Sequence, residues 1–198
     1  MSRRASSVFE AISATMLLAL SACSSARAPD LYVLGDGPPD QAHIVEVLDK
    51  PVVRVERVQL PDYLDSTEMV TRQDGAKIET STTGQWVDRL SIVITREVAQ
   101  SLAAQEPQVV VSTSAPVKTP SLLLTIHIDE FEGEPAGCVF SGRWSIVGKD
   151  GKELDDQEFL ITTPMNDRRD AAVAAAMTRD LDQLTIRIAA VLRNLVAL

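Results

Sequence analysis

Apolar residues recur along this chain with two periods, one of two residues and one of three to four, and the switches between them mark out its elements. Leu31 to Leu34 is a candidate first strand, closed by Gly35-Asp36-Gly37-Pro38-Pro39, a run that continues no regular element. Ile44 to Leu48 is a brief apolar run that fits either type. Val52 to Leu60 reads as a strand on its β-branched content. Pro61 ends that strand or confines it to an edge, because proline has no ladder donor. Met69 to Arg72 and Ala76 to Thr80 flank Gln73-Asp74-Gly75, and Asp-Gly between strand-like runs predicts a hairpin. From Trp86 to Ala104 the period lengthens. Val87, Leu90, Ile94, Val98 and Leu102 form one helical stripe, with Asp88, Arg89, Arg96 and Gln100 left for water, until Pro107 stops it.

The second half repeats that order. Val109 to Val111 is a short strand, and Ser112 to Pro120 a polar loop. Leu122, Leu124, Ile126 and Ile128 then share one strand face, while Leu123, Thr125, His127 and Asp129 share the other. After a turn at Glu132-Gly133-Glu134-Pro135, Cys138, Phe140, Gly142, Trp144 and Ile146 repeat the pattern. Lys149-Asp150-Gly151-Lys152 turns the chain again into a strand from Glu158 to Thr163. A last helix follows Pro164 to Asp170, with Asn166 or Asp167 as its N-cap. Its stripe is Met177, Leu181, Leu184, Ile188, Leu192 and Leu195, and the alanines from Ala171 to Ala176 permit close approach. Two amphipathic helices and a one-face-apolar sheet predict a two-layer α/β (α+β) sandwich. Its sheet is mixed and largely antiparallel, with both helices on one face. The two halves share no motif that would establish a duplication.

The N-terminal stretch changes the picture by supplying an address. Arg3 and Arg4 precede an apolar run from Ala11 to Ala22, long enough for a signal peptide and well short of the roughly 20 residues a spanning helix needs. Leu20-Ser21-Ala22-Cys23 looks like a bacterial lipobox, with cleavage between Ala22 and Cys23 and a covalent lipid on Cys23. A plain secretory peptide with an incidental cysteine is the alternative. Several acyl chains would make attachment permanent, at about 0.8 kcal/mol per buried methylene. Ser24 after the cysteine favours the outer membrane by the sorting pattern of enteric bacteria. The expected organisation is a signal peptide at 1–22, a lipidated tether at 23–29 and one domain at 30–198.

Cleavage takes two arginines and one glutamate from totals of 19 basic and 28 acidic residues, leaving a mature chain of 176 residues and net charge −10. That balance argues against nucleic acid and against polybasic docking on anionic lipid. Cys138 alone remains beside the lipidated cysteine, so no intramolecular disulfide is expected. The sequence holds no phosphate-cradling glycine loop, no Gly-x-Ser-x-Gly, no His-Glu-x-x-His and no paired-cysteine metal signature, and it reads as a non-enzyme with no metal and no cofactor. His127 shares a face with Asp129, but a solvated strand face accounts for both. Asp129, Glu130, Glu132 and Glu134 lack the spacing of a calcium loop and read as a solvated acidic hairpin; Asp155, Asp156 and Glu158 read the same way. Cys138 falls on the apolar face of its strand, as a small buried hydrophobe. Tyr63, Arg72 and Trp86 gather around the Pro61 corner, either as a partner-binding patch or as the seals of a strand end and a helix start.

Together these residues resemble the ABC-type transport auxiliary lipoproteins, the PqiC-like family. The likeness rests on the lipobox, Tyr32-Val33-Leu34, Leu60-Pro61-Asp62-Tyr63-Leu64-Asp65, Val70-Thr71-Arg72, the Asp-Gly turn, Trp86 opening the helix, a strand with Phe140 and Trp144, and the closing alanine-rich helix. Family members often carry a basic residue soon after the Tyr-Leu pair, whereas Asp65-Ser66-Thr67 stands here. The resemblance implies an outer-membrane-anchored, periplasm-facing component of an intermembrane lipid transport system. Its implied partner is an MCE-domain periplasmic protein and, through it, an ABC permease and ATPase. A lipid-binding carrier and a structural envelope-assembly lipoprotein are the alternatives, and the composition also accommodates a homo-oligomer.

Overall fold

The cleanest period-two run of the sequence forms the longest strand, and the sheet is built outward from it. The computed structural model describes residues 27–35, 50–73, 75–114 and 119–196. In chain order its elements are β1 (Asp30–Tyr32), β2 (Val52–Val55), β3 (Glu68–Arg72), β4 (Ile78–Trp86), α1 (Leu90–Gln105), β5 (Val110–Ser112), β6 (Leu122–Glu134), β7 (Gly137–Gly148), β8 (Glu153–Thr163) and α2 (Asp170–Val196). β6, β7 and β8 form the antiparallel meander expected from the alternation. The other edge of β6 is shared. β2 lies parallel to its first half, pairing Val53 with Leu122 and Val55 with Leu124, and β3 meets its end, Thr71 opposite Gly133. β5 continues outward from β2, and β4 then β1 continue from β3. The sheet is therefore mixed, with its longest pairings antiparallel.

One face of that sheet is apolar. Leu124, Ile126, Phe140, Trp144, Ile146 and Ile161 are all buried there, against Ile94, Val98 and Leu102 of α1 and Leu181, Leu184, Ile188 and Leu192 of α2. Side chains of this size each gain about 1.5–3 kcal/mol on leaving water, so the two helical stripes are what hold the layers together. The helices also grip each other: Ser101 Oγ and Thr185 Oγ1 lie 2.9 Å apart, and Arg193 Nη2 lies 2.5 Å from Glu106 Oε1. Among the described residues no helix is long and apolar enough to cross a membrane.

Several expected boundaries move, each for a hydrogen-bonding reason. Trp86 does not open the first helix. It pairs with Tyr32 at the end of β4, its N–H donates to Thr67 O, and Val87 N–H donates to Tyr32 O, so the backbone stays extended until Leu90. Val87 accordingly leaves the helical stripe and is 43% exposed. The strand from Val52 breaks after Val55. Glu56 and Gln59 still donate to Leu124 O and Ile126 O, but Val58 N–H turns to Thr95 Oγ1 of α1. The β6–β7 turn is Pro135-Ala136 rather than Glu132 to Pro135, because Glu132 and Gly133 keep ladder partners in Val139 and Cys138. β8 begins at Glu153, five residues before the expected start. Neither Asn166 nor Asp167 caps α2. Arg169 holds that position, its carbonyl accepting from Ala172 and Val173, while Asp167 takes the Arg169 N–H and guanidinium. The hairpin expected there joins β3 to β4, with Gly75 at φ +73°, while Asp74 lies outside the described residues. Ile44 to Leu48 lies outside the described residues.

Candidate functional site

Pro61 does more than end a strand. Its carbonyl accepts from both Leu64 N (2.9 Å) and Asp65 N (3.2 Å), closing a tight turn that drives Leu64 into the core and leaves Tyr63 40% exposed. From there the Tyr63 ring reaches toward β3 and β6. A bulge between Ile128 and Glu130 resets the alternation of β6, so that Phe131 and Gly133 take the helix-covered face and Glu132 the open one. Glu132 is nevertheless only 1% exposed, because Arg72 and Tyr63 lie over it. Arg72 Nε donates to Glu132 Oε1 at 2.6 Å, and its Nη2 ion-pairs with the same oxygen. The Tyr63 hydroxyl accepts from Arg72 Nη2 at 3.3 Å and donates to Glu132 Oε1 at 3.4 Å. Glu134 Oε1 stands 3.7 Å from Arg72 Nε.

Electrostatics follow from that geometry. Burial pushes the Glu132 carboxyl above its ordinary range, although Arg72 pulls the other way. Burial and the neighbouring Glu132 carboxylate raise the Tyr63 phenol, and the hydrogen bond to Glu132 raises Arg72. Glu132 Oε2 is buried with no hydrogen-bond partner. The guanidinium is thus committed to an internal carboxylate, and what remains outward is the Tyr63 ring and one edge of Arg72. Trp86 does not join them: it is 3% exposed, in the core.

Asp65 works on the other side of the turn. Its Oδ1 accepts from Ser91 N at 3.2 Å, and Arg89 Nη2 reaches both its carbonyl (2.7 Å) and Oδ2 (3.1 Å). Ser66 O takes the Leu90 N–H. The loop therefore satisfies the exposed donors of the first turn of α1, which has no capping side chain of its own. Burial alone would raise the Asp65 carboxyl, but the Ser91 and Arg89 hydrogen bonds outweigh it and lower its pKa. This gives Asp65 a structural occupation at the start of α1.

A second buried polar group lies beneath the sheet. Asp180 of α2, 0% exposed, accepts a hydrogen bond from Thr163 Oγ1 and neighbours the Cys138 thiol. Burial raises both groups, and Asp180 adds to the rise at Cys138. Cys138 is therefore an inert thiol in the core. His127 and Asp129 are exposed on the open face, where Arg143 meets Glu158 at 2.8 Å and Asp156 at 3.5 Å. Sequence reasoning missed Glu132 and Asp180. Asp180 was visible, since it falls three residues after Met177 and four before Leu184, on the apolar stripe. Glu132 was not, because the bulge shifts the alternation there. Ala22 and Cys23 lie outside the described residues.

The family model described as "ABC-type transport auxiliary lipoprotein component" matches residues 32–189. No curated protein matches the chain. Among solved structures, an uncharacterized protein superposes with TM-score 0.69 at 18% identity, over 82% of this chain and 97% of its own. A Xanthomonas campestris protein superposes with TM-score 0.61 at 17% identity, over 80% and 91%. Both likenesses concern the fold. A PelC dodecamer from Paraburkholderia phytofirmans gives TM-score 0.41 at 9% identity, over 67% and 87%, too distant to bear on assembly.

Proposed function

This chain belongs to the family of ABC-type transport auxiliary lipoprotein components, and on that premise we propose that it is the outer-membrane-side docking component of an MCE-associated intermembrane lipid transport system. The family match over residues 32–189 carries the reading. The lipobox-like run Leu20-Ser21-Ala22-Cys23 supports it, since a lipid on Cys23 would hold the domain at a membrane surface, and Ser24 favours the outer membrane. On this reading a covalent lipid on Cys23 holds the domain in the periplasm. The domain binds an MCE-domain protein, and through it serves an ABC permease and ATPase without supplying energy itself.

An auxiliary rather than catalytic role agrees with how the titratable groups are used. Glu132 is closed under Arg72 and Tyr63, Asp180 and Cys138 are sealed in the core, and Asp65 is spent on α1. Tyr63 with the outer edge of Arg72 is the proposed contact patch, a half-exposed aromatic beside a guanidinium held rigid from below. The test is affinity capture of the lipidated protein from solubilised membranes. Recovery of an MCE-domain protein, weakened at least tenfold by Tyr63→Ala, is expected. Capture that retains other envelope complexes but recovers no MCE protein would refute the docking role.

A further inference from the structure

Among the described residues β1 is the outermost strand on its side of the sheet and pairs with β4 alone, so no described strand takes up its second edge. Leu31 pairs with Gln85 and Tyr32 with Trp86, and the ladder is prolonged when Val87 N–H donates to Tyr32 O at 3.0 Å, bringing Val33 beside Val87. By strand alternation Leu31 and Val33 share the face opposite Tyr32. They are 66% and 48% exposed, and Val87 is 43% exposed. The other exposed large apolar side chains, Tyr63, Leu154, Leu160 and Ile186, sit on other elements. Edge strands of soluble domains are ordinarily blunted by charge or proline. β1 is short and opens at Pro29-Asp30, but past that charge Leu31 and Val33 stand exposed, with Val87 at the end of the neighbouring strand beside them.

Chain length decides what lies next to them. Cys23 precedes Leu31 by eight residues, and an extended chain gains at most about 3.6 Å per residue, so the two lie within about 30 Å of each other. The opposite corner of the domain is the Lys149–Lys152 turn beyond β7. It is separated from β1 by four or five strand spacings of about 4.8 Å across the sheet, and by roughly 30 Å more along β6. The tether therefore keeps the β1 edge within about 30 Å of the lipid on Cys23, a closer limit than it sets on the far corner.

We propose that the outer edge of β1 lies against the lipid surface, with Leu31, Val33 and Val87 entering the interfacial layer. The inference rests on the lipid at Cys23 read above. It gives an edge that no described strand takes up a cover of headgroups and water. It also turns the β7–β8 turn and the C-terminal end of α1 away from the bilayer. Because the contact is aliphatic, it does not call on anionic lipid.

The experiment uses the lipidated full-length protein in phosphatidylcholine vesicles, after mass spectrometry has verified the acyl chains on Cys23. An unmodified Cys23 would refute the anchor itself, separately from the orientation. Single cysteines replacing Leu31, Ala136 or Lys152 are labelled with an environment-sensitive fluorophore, the buried Cys138 staying unlabelled in the folded protein. Bromine-substituted lipids then quench the three labels. Quenching at Leu31 at least threefold stronger than at Ala136 and Lys152, unchanged when a fifth of the lipid is made anionic, is expected. Equal or stronger quenching at Ala136 or Lys152 overturns the proposal. So does a Leu31 label shielded from both lipid and aqueous quenchers, which would mean that protein covers this edge.

Discussion

Replacing Arg72 by methionine keeps a flexible apolar stem over the sheet and removes the cation paired with Glu132. Glu132 is 1% exposed, its Oε1 takes the guanidinium, and its Oε2 has no partner. Breaking a buried pair from one side costs about 3–5 kcal/mol when the stranded charge has no escape. Here the Arg72 side chain is 25% exposed and Tyr63 still donates, so water enters part of the vacated space and the expected loss is about 2–3 kcal/mol at pH 8. The pH dependence has a definite sign. Burial already raises the Glu132 carboxyl above 4.5, and losing Arg72 raises it further. A carboxyl raised in the folded state contributes stability that is complete below its unfolded pKa and lost as pH climbs through the folded one. The deficit of Arg72→Met should therefore be smaller at pH 5 than at pH 8. Urea unfolding followed by tryptophan fluorescence reads this directly, since Trp86 and Trp144 are both buried. Adding Glu132→Gln should restore at least half the loss at pH 8. A deficit below about 0.5 kcal/mol at pH 8, or one equal at the two pH values, would show that Glu132 does not depend on Arg72.

Three further outcomes come from the same geometry. Asp65→Ala should cost about 1 kcal/mol by uncovering the first turn of α1. Because the Asp65 carboxyl is lowered in the folded state, that deficit should be full at pH 7 and shrink as pH falls below the ordinary carboxylate value and through the lowered one in the same urea assay. Asp180→Asn removes a carboxyl whose burial raises it above 3.8, so the variant should gain on the parent as pH rises from 5 to 8; a difference independent of pH would mean that Asp180 is not the titrating group. A Cβ at Gly142 would stand 2.1 Å from His127 O and 2.9 Å from Ile128 Cα. Gly142→Ala should accordingly cost about 3 kcal/mol by forcing β6 and β7 apart beside the bulge, and a thermal midpoint within 2 °C of the parent, at roughly 4 °C per kcal/mol, would disprove the clash.

Much of this molecule was legible before any coordinates. Where one face of an element meets the core along its whole length, periodicity reports that face. Leu122 to Ile128, Cys138 to Ile146 and Met177 to Leu192 all lie as the alternation or stripe requires. The Asp-Gly hairpin was legible for a different reason: a type of turn that demands positive φ leaves few residues to choose from. What failed were boundaries set by partners distant in sequence. Nothing local marks Trp86 as a strand residue, because the groups that hold it extended are Tyr32 and Thr67. Likewise Glu132 reads as a solvated hairpin acid until a bulge three residues earlier and an arginine sixty residues away enclose it.

For function, the division is similar. Sequence alone carried the expectation of an envelope address at Cys23, the acidic net charge, and the motif pair Pro61-Asp62-Tyr63-Leu64 and Val70-Thr71-Arg72 on which the family resemblance rests. These are properties of short contiguous stretches or of summed charge, and they need no fold to be read. Only the tertiary structure decided that Tyr63 and Arg72 belong together while Trp86 belongs to the core, and that Asp65 serves a helix rather than a partner. It also brought Leu31 and Val33 together with Val87 at one side of the sheet. Those are meetings of residues far apart along the chain, and what brings them together is the packing of one sheet under two helices, which no local pattern encodes.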